Sequence, residues 1–401
     1  MKIIFATSHG KYELSANNTD SLEKILATAG IPFNSVSIYG CQNDSESGDL
    51  ITPLKTTTAE LSPRYSKIII RPDRNIDYEA VLLRRLALSK TTNAVSEYSF
   101  VTDDRHEITH KYFSQSECRD YINRSVEEFS RGLEIDKQRP VVVGVSGGGD
   151  SNALLSGLLG SGKFEKSQII PVMMMGIPDW DLGLERAQSQ CADLGLDLQI
   201  VGSDEVNTLL GRSSNERDWV GDFESTYRDS DLEVIGTLAV RLALSAIARR
   251  HNAQAAVTGL NLEDILAECL LATLRGEPPL PFPTRQIDDV TFWYPMYRCP
   301  KKIIDGCNPK LSLQNYADRY PSYMYWRAAA YHLAQQIGCA QVGMEFQPLQ
   351  GFQALSKKSP RKPIYKSELG FSIAADVSDQ HLSKWRKFIS GNRHGPLRSI
   401  A

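Results

Sequence analysis

The stretch VVVGVSGGGDSNALLSGLL, Val141 to Leu159, joins an apolar run to an apolar-periodic one through a serine, three glycines and an aspartate. VVVGV reads as a buried parallel strand and SNALLSGLLG as the helix that follows it. Working outward, QIIPVMMM is a strand, GLERAQSQCADLG a helix and DLQIVG a strand. Beyond a polar loop come the helix GTLAVRLALSAIARRH, the strand AQAAVTG and the helix LEDILAECLLATLRG. Strands separated by helices imply an α/β fold, a parallel sheet with helices on both faces. Ligands of such sheets bind beyond the carboxyl ends of the strands. The glycine-bearing loops at Ser146 and Thr258 both fall at that edge.

Two chemistries compete for the first loop. GVSGG satisfies G-x-S-x-G, the nucleophile elbow of a serine hydrolase, with His251, His332, His381 and His394 available as bases. The other reading uses more of the residues. Gly147, Gly148 and Gly149 let backbone N–H groups converge, Ser146 and Ser151 add hydroxyls, and the helix starting near Ser151 presents its positive end. That combination cradles a polyphosphate. No lysine follows the glycines, so this is not a Walker A loop. Asp150 would repel phosphate unless Mg²⁺ bridged the two, which makes Asp150 the candidate metal ligand.

SGGGDS, Ser146 to Ser151, resembles the S-G-G-x-D-S signature of the PP-loop, or N-type ATP pyrophosphatase, superfamily. TGLNLEDILAECLLATLRGE, Thr258 to Glu277, is similar without a gap to a segment of the tRNA 2-thiouridine and 2-thiocytidine synthetases, and more loosely to tRNA(Ile)-lysidine synthetase. A weaker likeness continues at YPMYRCPKKII, Tyr294 to Ile304. The resemblance implies an adenine nucleotide α-hydrolase-like fold. It also implies ATP and Mg²⁺ as cofactors, cleavage of ATP to AMP and pyrophosphate, and adenylation of a carbonyl oxygen that sulfur or nitrogen then replaces. Carried over, Ser146, Gly147, Gly148, Gly149, Asp150 and Ser151 would hold phosphate. Met174, in the segment Val172 to Gly176, would line the adenine. Thr258, Gly259 and Asn261 would join them, with Asp150, Asp264 and Arg275 as the catalytic set.

The chain also departs from that family. The thiolating members carry a C-x-x-C pair where Leu232 and Ile235 stand here, and Leu260, Glu263 and Ala267 replace the family's His, Asp and Glu. Neither an iron–sulfur cluster nor zinc is expected from seven scattered cysteines without any C-x-x-C. Cys299 and Cys307, near Arg298, Lys301 and Lys302, are the only candidates for a thiol activated by neighbouring cations.

Outside Val141 to Ile304 the signals are compositional. KIIFAT, KYELSA, the helix DSLEKILATAG with Asp20 as N-cap, SVSIYG and KIIIRP suggest a small α+β unit over residues 1–100, β-grasp-like in element order and a candidate docking module for a partner protein. A helical connector over 101–139, a core domain over 140–310 and a helical C-terminal region over 311–401 complete the expected division. From Ala354 to Ala401 ten basic residues face three acidic ones, so this segment is +7 within a chain of net charge −3. Such a segment suits a polyanion such as tRNA. No apolar run approaches the roughly 18 residues of a membrane helix, and the chain reads as cytoplasmic. A small carbonyl metabolite as acceptor, a serine hydrolase using Ser146, and a non-catalytic nucleotide-binding regulator remain as alternatives.

Overall fold

A computed structural model describes residues 1–7, 10–31, 36–42, 48–52, 54–73, 93–101, 108–212, 218–227, 232–318, 325–340, 345–360, 362–373 and 378–390. The polypeptide divides into two compact units, Met1–Ser89 with Cys339–Gln341, and Lys90–Gly338 with Val342–Ala401.

The first unit is a mixed sheet of β1 (Lys2–Ala6), β2 (Lys11–Glu13), β3 (Val36–Cys41), β4 (Asp49–Leu50) and β5 (Lys67–Pro72) in the order β2-β1-β5-β3-β4. β1 and β5 are parallel neighbours while the other pairs are antiparallel. This is the β-grasp arrangement that the element order suggested. The helix Leu22–Thr28 buries Leu22, Ile25 and Leu26 in a core with Ile3, Phe5, Ile68 and Ile70. Its N-cap is Ser21, whose hydroxyl accepts from Lys24 N–H, and not Asp20 as expected. Asp20 instead accepts from Lys24 Nζ and Asn17 N–H.

The second unit begins earlier than the sequence division at residue 100. An antiparallel hairpin, β6 (Ser96–Val101) and β7 (Ile108–Phe113), belongs to it. Ser96 Oγ donates to the Lys302 carbonyl, and Lys302 pairs with Glu97. The helix Gln115–Arg131, capped by a Ser114–Glu117 box, buries Cys118, Ile122, Val126 and Phe129 on one face.

The main sheet comprises β8 (Val141–Gly144), β9 (Ile169–Met174), β10 (Gln199–Val201), β11 (Ala255–Val257), β12 (Thr284–Ile287) and β13 (Val290–Trp293) in the order β10-β9-β8-β11-β13-β12. Every pair is parallel except β12 with β13. Val141, Val142 and Val143 are fully buried because both faces of the sheet are covered. Val142 packs with the core containing helices Leu232–Arg250 and Leu262–Leu274, whereas Val141 and Val143 pack with helices Gly149–Gly160 and Gln115–Arg131.

The chain runs β8, β9, β10 toward one edge, then returns to place β11 on the other side of β8. The order reverses between β8 and β11, and at such a switch point the two following loops diverge and open a crevice.

The C-terminal basic segment is not a frayed end over the residues described. Phe371, Trp385 and Phe388 are buried in the same core as Val142. The Arg212 guanidinium lies 4.8 Å from the Phe388 ring centroid and donates to the Phe388 carbonyl. The final stretch, 391–401, with His394 and two of the ten basic residues, lies outside the described residues. Among the described residues, no helix is long and apolar enough to cross a membrane.

Candidate nucleotide site

The register Val141↔Ala255 to Val143↔Val257 brings the loops after β8 and β11 side by side. Gly259 closes the approach, since a Cβ there would come within 3.3 Å of the Asp150 backbone. Asn261 caps the helix Leu262–Leu274 in a box with Asp264, and its Nδ2 donates to Asp150 Oδ1 at 3.2 Å.

The loop 146–149 is tightly constrained. Gly147 has φ +70, and a Cβ on it would lie 2.2 Å from the Gly183 carbonyl oxygen. The Gly147 carbonyl accepts from Arg186 Nε at 3.1 Å and Gln190 Nε2 at 3.2 Å. Ser151 Oγ accepts from Ser146 N–H and donates to the Gly148 carbonyl, so this buried hydroxyl holds the loop's shape. Gly148 N-caps the helix Gly149–Gly160 without any side-chain cap. The amides of its first turn therefore keep the partial positive charge of a free helix N-terminus.

Beside the loop is a cavity of about 140 Å³ lined by Ser146, Met173, Met174, Trp180, Leu244 and Thr258 among others. Its lining side chains are mostly apolar, with Ser146 and Thr258 bearing hydroxyls. The cavity therefore joins Met174 to Ser146 and Thr258. The N–H of Gly176 is already taken by the Asp181 carboxylate, at 3.0 and 3.1 Å.

The cation at this site falls in the weaker likeness at Tyr294 to Ile304, from which no site residue was expected. Lys301, from the segment after β13, places Nζ 2.7 Å from Asp150 Oδ2 and 3.0 Å from Asp305 Oδ1. Burial works against the charged amine, but Asp150 and Asp305 outweigh it and hold its pKa above the ordinary lysine value. Asp150 is thus neutralised by lysine here. Arg275, the cation expected from the sequence, is exposed at the opposite end of the helix that Asn261 caps. Thirteen helical residues separate those ends, about 20 Å at 1.5 Å per residue, so Arg275 is not brought to the loop. Glu268, on the same helix, pairs with Arg285.

Two further carboxyls stand behind Asp150. Glu263 accepts from the Lys301 backbone N–H at 2.9 Å, and Asp264 accepts from Asn261 N–H at 3.1 Å and Tyr331 hydroxyl at 2.9 Å. Burial, reinforced by neighbouring carboxylates, pushes Glu263 up to about 7 and Asp264 up to about 6. A folded-state pKa above the unfolded value means that the folded chain holds protons the unfolded chain has released. That contribution to stability is whole below the unfolded pKa and is lost as pH rises through the folded pKa. The thermal midpoint of the nucleotide-free protein should therefore fall as pH rises from the ordinary carboxyl range to about 7 and level off above it, and Glu263→Gln should flatten the fall. A midpoint indifferent to pH there would remove these carboxyls from consideration.

The hydrolase geometry is not assembled among the described residues. His251 follows the helix that precedes β11 and so lies at the amino edge of the sheet, opposite Ser146. His332 and His381 are exposed, and His110 meets Ser99. The activated thiol is corrected as well. Cys299 and Cys307 are buried, and burial pushes each up to about 12, the reverse of what a reactive thiolate needs.

No family model and no curated protein sequence matches the chain. Among solved structures, the U34-tRNA thiolase NcsA from Methanococcus maripaludis matches with a TM-score of 0.51 at 15% identity, over 70% of this chain and 91% of the thiolase. An NH3-dependent NAD synthetase from Campylobacter jejuni matches more loosely, with a TM-score of 0.34 at 16% identity, over 64% of this chain and 100% of the synthetase. The first likeness establishes the α/β fold with its helix-flanked parallel sheet. It also corrects one expectation: the thiolase carries a [4Fe–4S] cluster, so the dismissal of such a cluster from the cysteine pattern does not stand. In this chain the residues at the family's C-x-x-C positions are Leu232, half-buried, and Ile235, buried. Among the described residues no group of three or more His, Cys, Asp or Glu is arranged to hold a metal ion.

Proposed function

We propose that this chain, whose fold is that of the PP-loop ATP pyrophosphatases, binds ATP along the carboxyl edge of its main sheet and splits it between the α and β phosphates. The adenine would occupy the apolar cavity beside Met174, with the polyphosphate on the 146–149 amides and the Ser146 hydroxyl. A carbonyl oxygen of the acceptor attacks the α-phosphorus in line, the bond to the β-phosphate breaks, and pyrophosphate leaves. Such a displacement asks the protein for positioning and charge neutralisation. Lys301 supplies a cation for the departing negative charge.

The observation that carries this reading is the convergence of unsatisfied polar groups on one loop. The helix N-terminus has no side-chain cap, and the buried Thr258 Oγ1, Ser312 Oγ and Gln190 Oε1 have no hydrogen-bond partner. Buried polar atoms without partners cost about 1–3 kcal/mol each. A set of them around a glycine loop at a topological switch point is what a polar ligand would satisfy. Asp150, with Asp305 across Lys301, is the group that would take Mg²⁺ delivered with the phosphates, since that ion needs only one or two protein carboxylates. Separation of products after incubation with ATP and candidate acceptors tests the proposal. AMP and pyrophosphate are expected, and ADP with inorganic phosphate would refute it.

A tRNA base is the acceptor this reading favours. Lys357 and Lys358 close the helix Phe346–Lys358, while Lys384, Arg386 and Lys387 are exposed on Asp379–Ile389. Removing residues 354–401 would strip Phe371, Trp385 and Phe388 from the core, so charge reversal is the cleaner test. Lys357→Glu with Lys358→Glu and Lys387→Glu should weaken tRNA binding in a filter assay and flatten its salt dependence, by nearly one unit of log–log slope for each phosphate that the protein no longer neutralises. An unchanged slope would favour a small carbonyl metabolite instead.

A further inference from the structure

The helix Pro309–Ala317 (PKLSLQNYA) wears its polarity the wrong way round. Ser312 and Asn315, three apart and therefore on one face, point at the glycine loop. A Cβ on Gly149 would lie 2.4 Å from Ser312 Oγ, and one on Gly148 would lie 2.9 Å from Asn315 Oδ1. Leu313 and Tyr316, also three apart, are 71% and 81% exposed. Leu311 is the one buried residue of the helix among those described. A surface helix normally turns its apolar stripe inward and its polar residues to water. Here Leu313 and Tyr316 face out, only Leu311 faces in, and the inward hydroxyl of Ser312 is buried without a hydrogen-bond partner. Packing against protein does not account for that choice of residues.

We infer that this helix is the second wall of the polyphosphate site, with the Ser312 hydroxyl and the Asn315 side-chain amide donating hydrogen bonds to the β and γ phosphate groups held by the loop. The inference rests on the ATP reading above and adds to it two binding residues outside the recognised loop. The anchoring of the helix suits the role. Asn308 caps it through Leu311 N–H, and Asp318 beyond its end pairs with Arg186, whose Nε also holds the Gly147 carbonyl. One arginine thus ties the end of this helix to the loop it faces. With so little apolar burial the helix can adjust by small movements when phosphate arrives. Glycine at 148 and 149 is then needed for two reasons: the amides must be open, and any side chain would push the facing helix away.

Calorimetric titration of the full chain with a non-hydrolysable ATP analogue and, separately, with AMP tests this. Ser312→Ala and Asn315→Ala are each expected to weaken binding of the analogue about tenfold, the worth of one hydrogen bond to a charged group, and to leave AMP binding unchanged. Without nucleotide, Ser312→Ala should hold or raise the thermal midpoint, because it removes an unsatisfied buried hydroxyl. Wild-type chain that binds the analogue while both variants bind it equally well would overturn the inference, as would equal losses for AMP. Wild-type chain that binds neither nucleotide would instead remove the ATP reading on which the inference rests.

Discussion

Asp150→Ala is expected to lower ATP-dependent release of AMP and pyrophosphate by about 100- to 1000-fold, the cost typical of losing one preorganised electrostatic group at a reacting centre. Asp150 joins three elements. It is on the first turn of the loop helix, accepts from Asn261 of the neighbouring loop, and holds Lys301 from the segment after β13. Without it Lys301 loses the partner that fixes its ammonium group beside the loop. The fold should survive, because the pair is partly exposed, with side chains 32% and 38% accessible, and Lys301 keeps Asp305. Pyrophosphate release measured alongside the thermal midpoint separates the two effects. Turnover retained with an unchanged midpoint would refute the assigned role, and a large drop in midpoint would mean that the residue acts mainly in folding.

Gly147→Ala should be the most damaging single change in the loop. The left-handed conformation at φ +70 costs an L-residue about 1–2 kcal/mol by itself. The added methyl would also meet the Gly183 carbonyl at 2.2 Å, and that obstacle is backbone, which cannot rotate away. Gly183 is held in turn, since its own Cβ would lie 2.2 Å from the Ser146 carbonyl. Gly162→Ala is the internal control. Gly162 has φ +66 with nothing within 4 Å of the added carbon, so it carries the conformational cost alone. Chemical denaturation of both variants should show a clearly larger loss for Gly147→Ala, together with loss of nucleotide binding. Equal losses would mean that the approach to Gly183 relaxes freely and that the loop is not constrained as described.

Much of the fold could be read from local pattern. The run at Val141, the periodic helices and the glycine turns announce themselves because burial on both faces of a parallel sheet demands unbroken apolar strands. The hairpin Ser96–Val101 with Ile108–Phe113 gives no such signal, because its residues mix polar and apolar without a turn of two or three glycine-type residues. It is held by partners distant in sequence, such as Ser96 with Lys302. Of the candidate site, Ser146 to Ser151 could be recognised because that loop is built from consecutive residues. Asn261 and Asp264 were legible through the likeness over Thr258 to Glu277, and the structure adds that they form a capping box. Lys301 is one basic residue among several near Pro300, whereas the likeness over Thr258 to Glu277 pointed to Arg275 instead. A segment likeness reports which residues recur and says nothing of how far along the helix a ligand sits.

The sequence by itself determined the strand–loop–helix of Val141 to Leu159, the glycines that leave its amides open, and the alternation that forces a parallel sheet. These are local properties, set by side-chain volume, backbone freedom and periodicity. Only the tertiary structure decided that β11 returns beside β8, that Lys301 lies against Asp150, and that Ser312 faces Gly149. Those pairings join residues more than a hundred positions apart, and the return of the chain across its own sheet, which no short stretch encodes, brings them together.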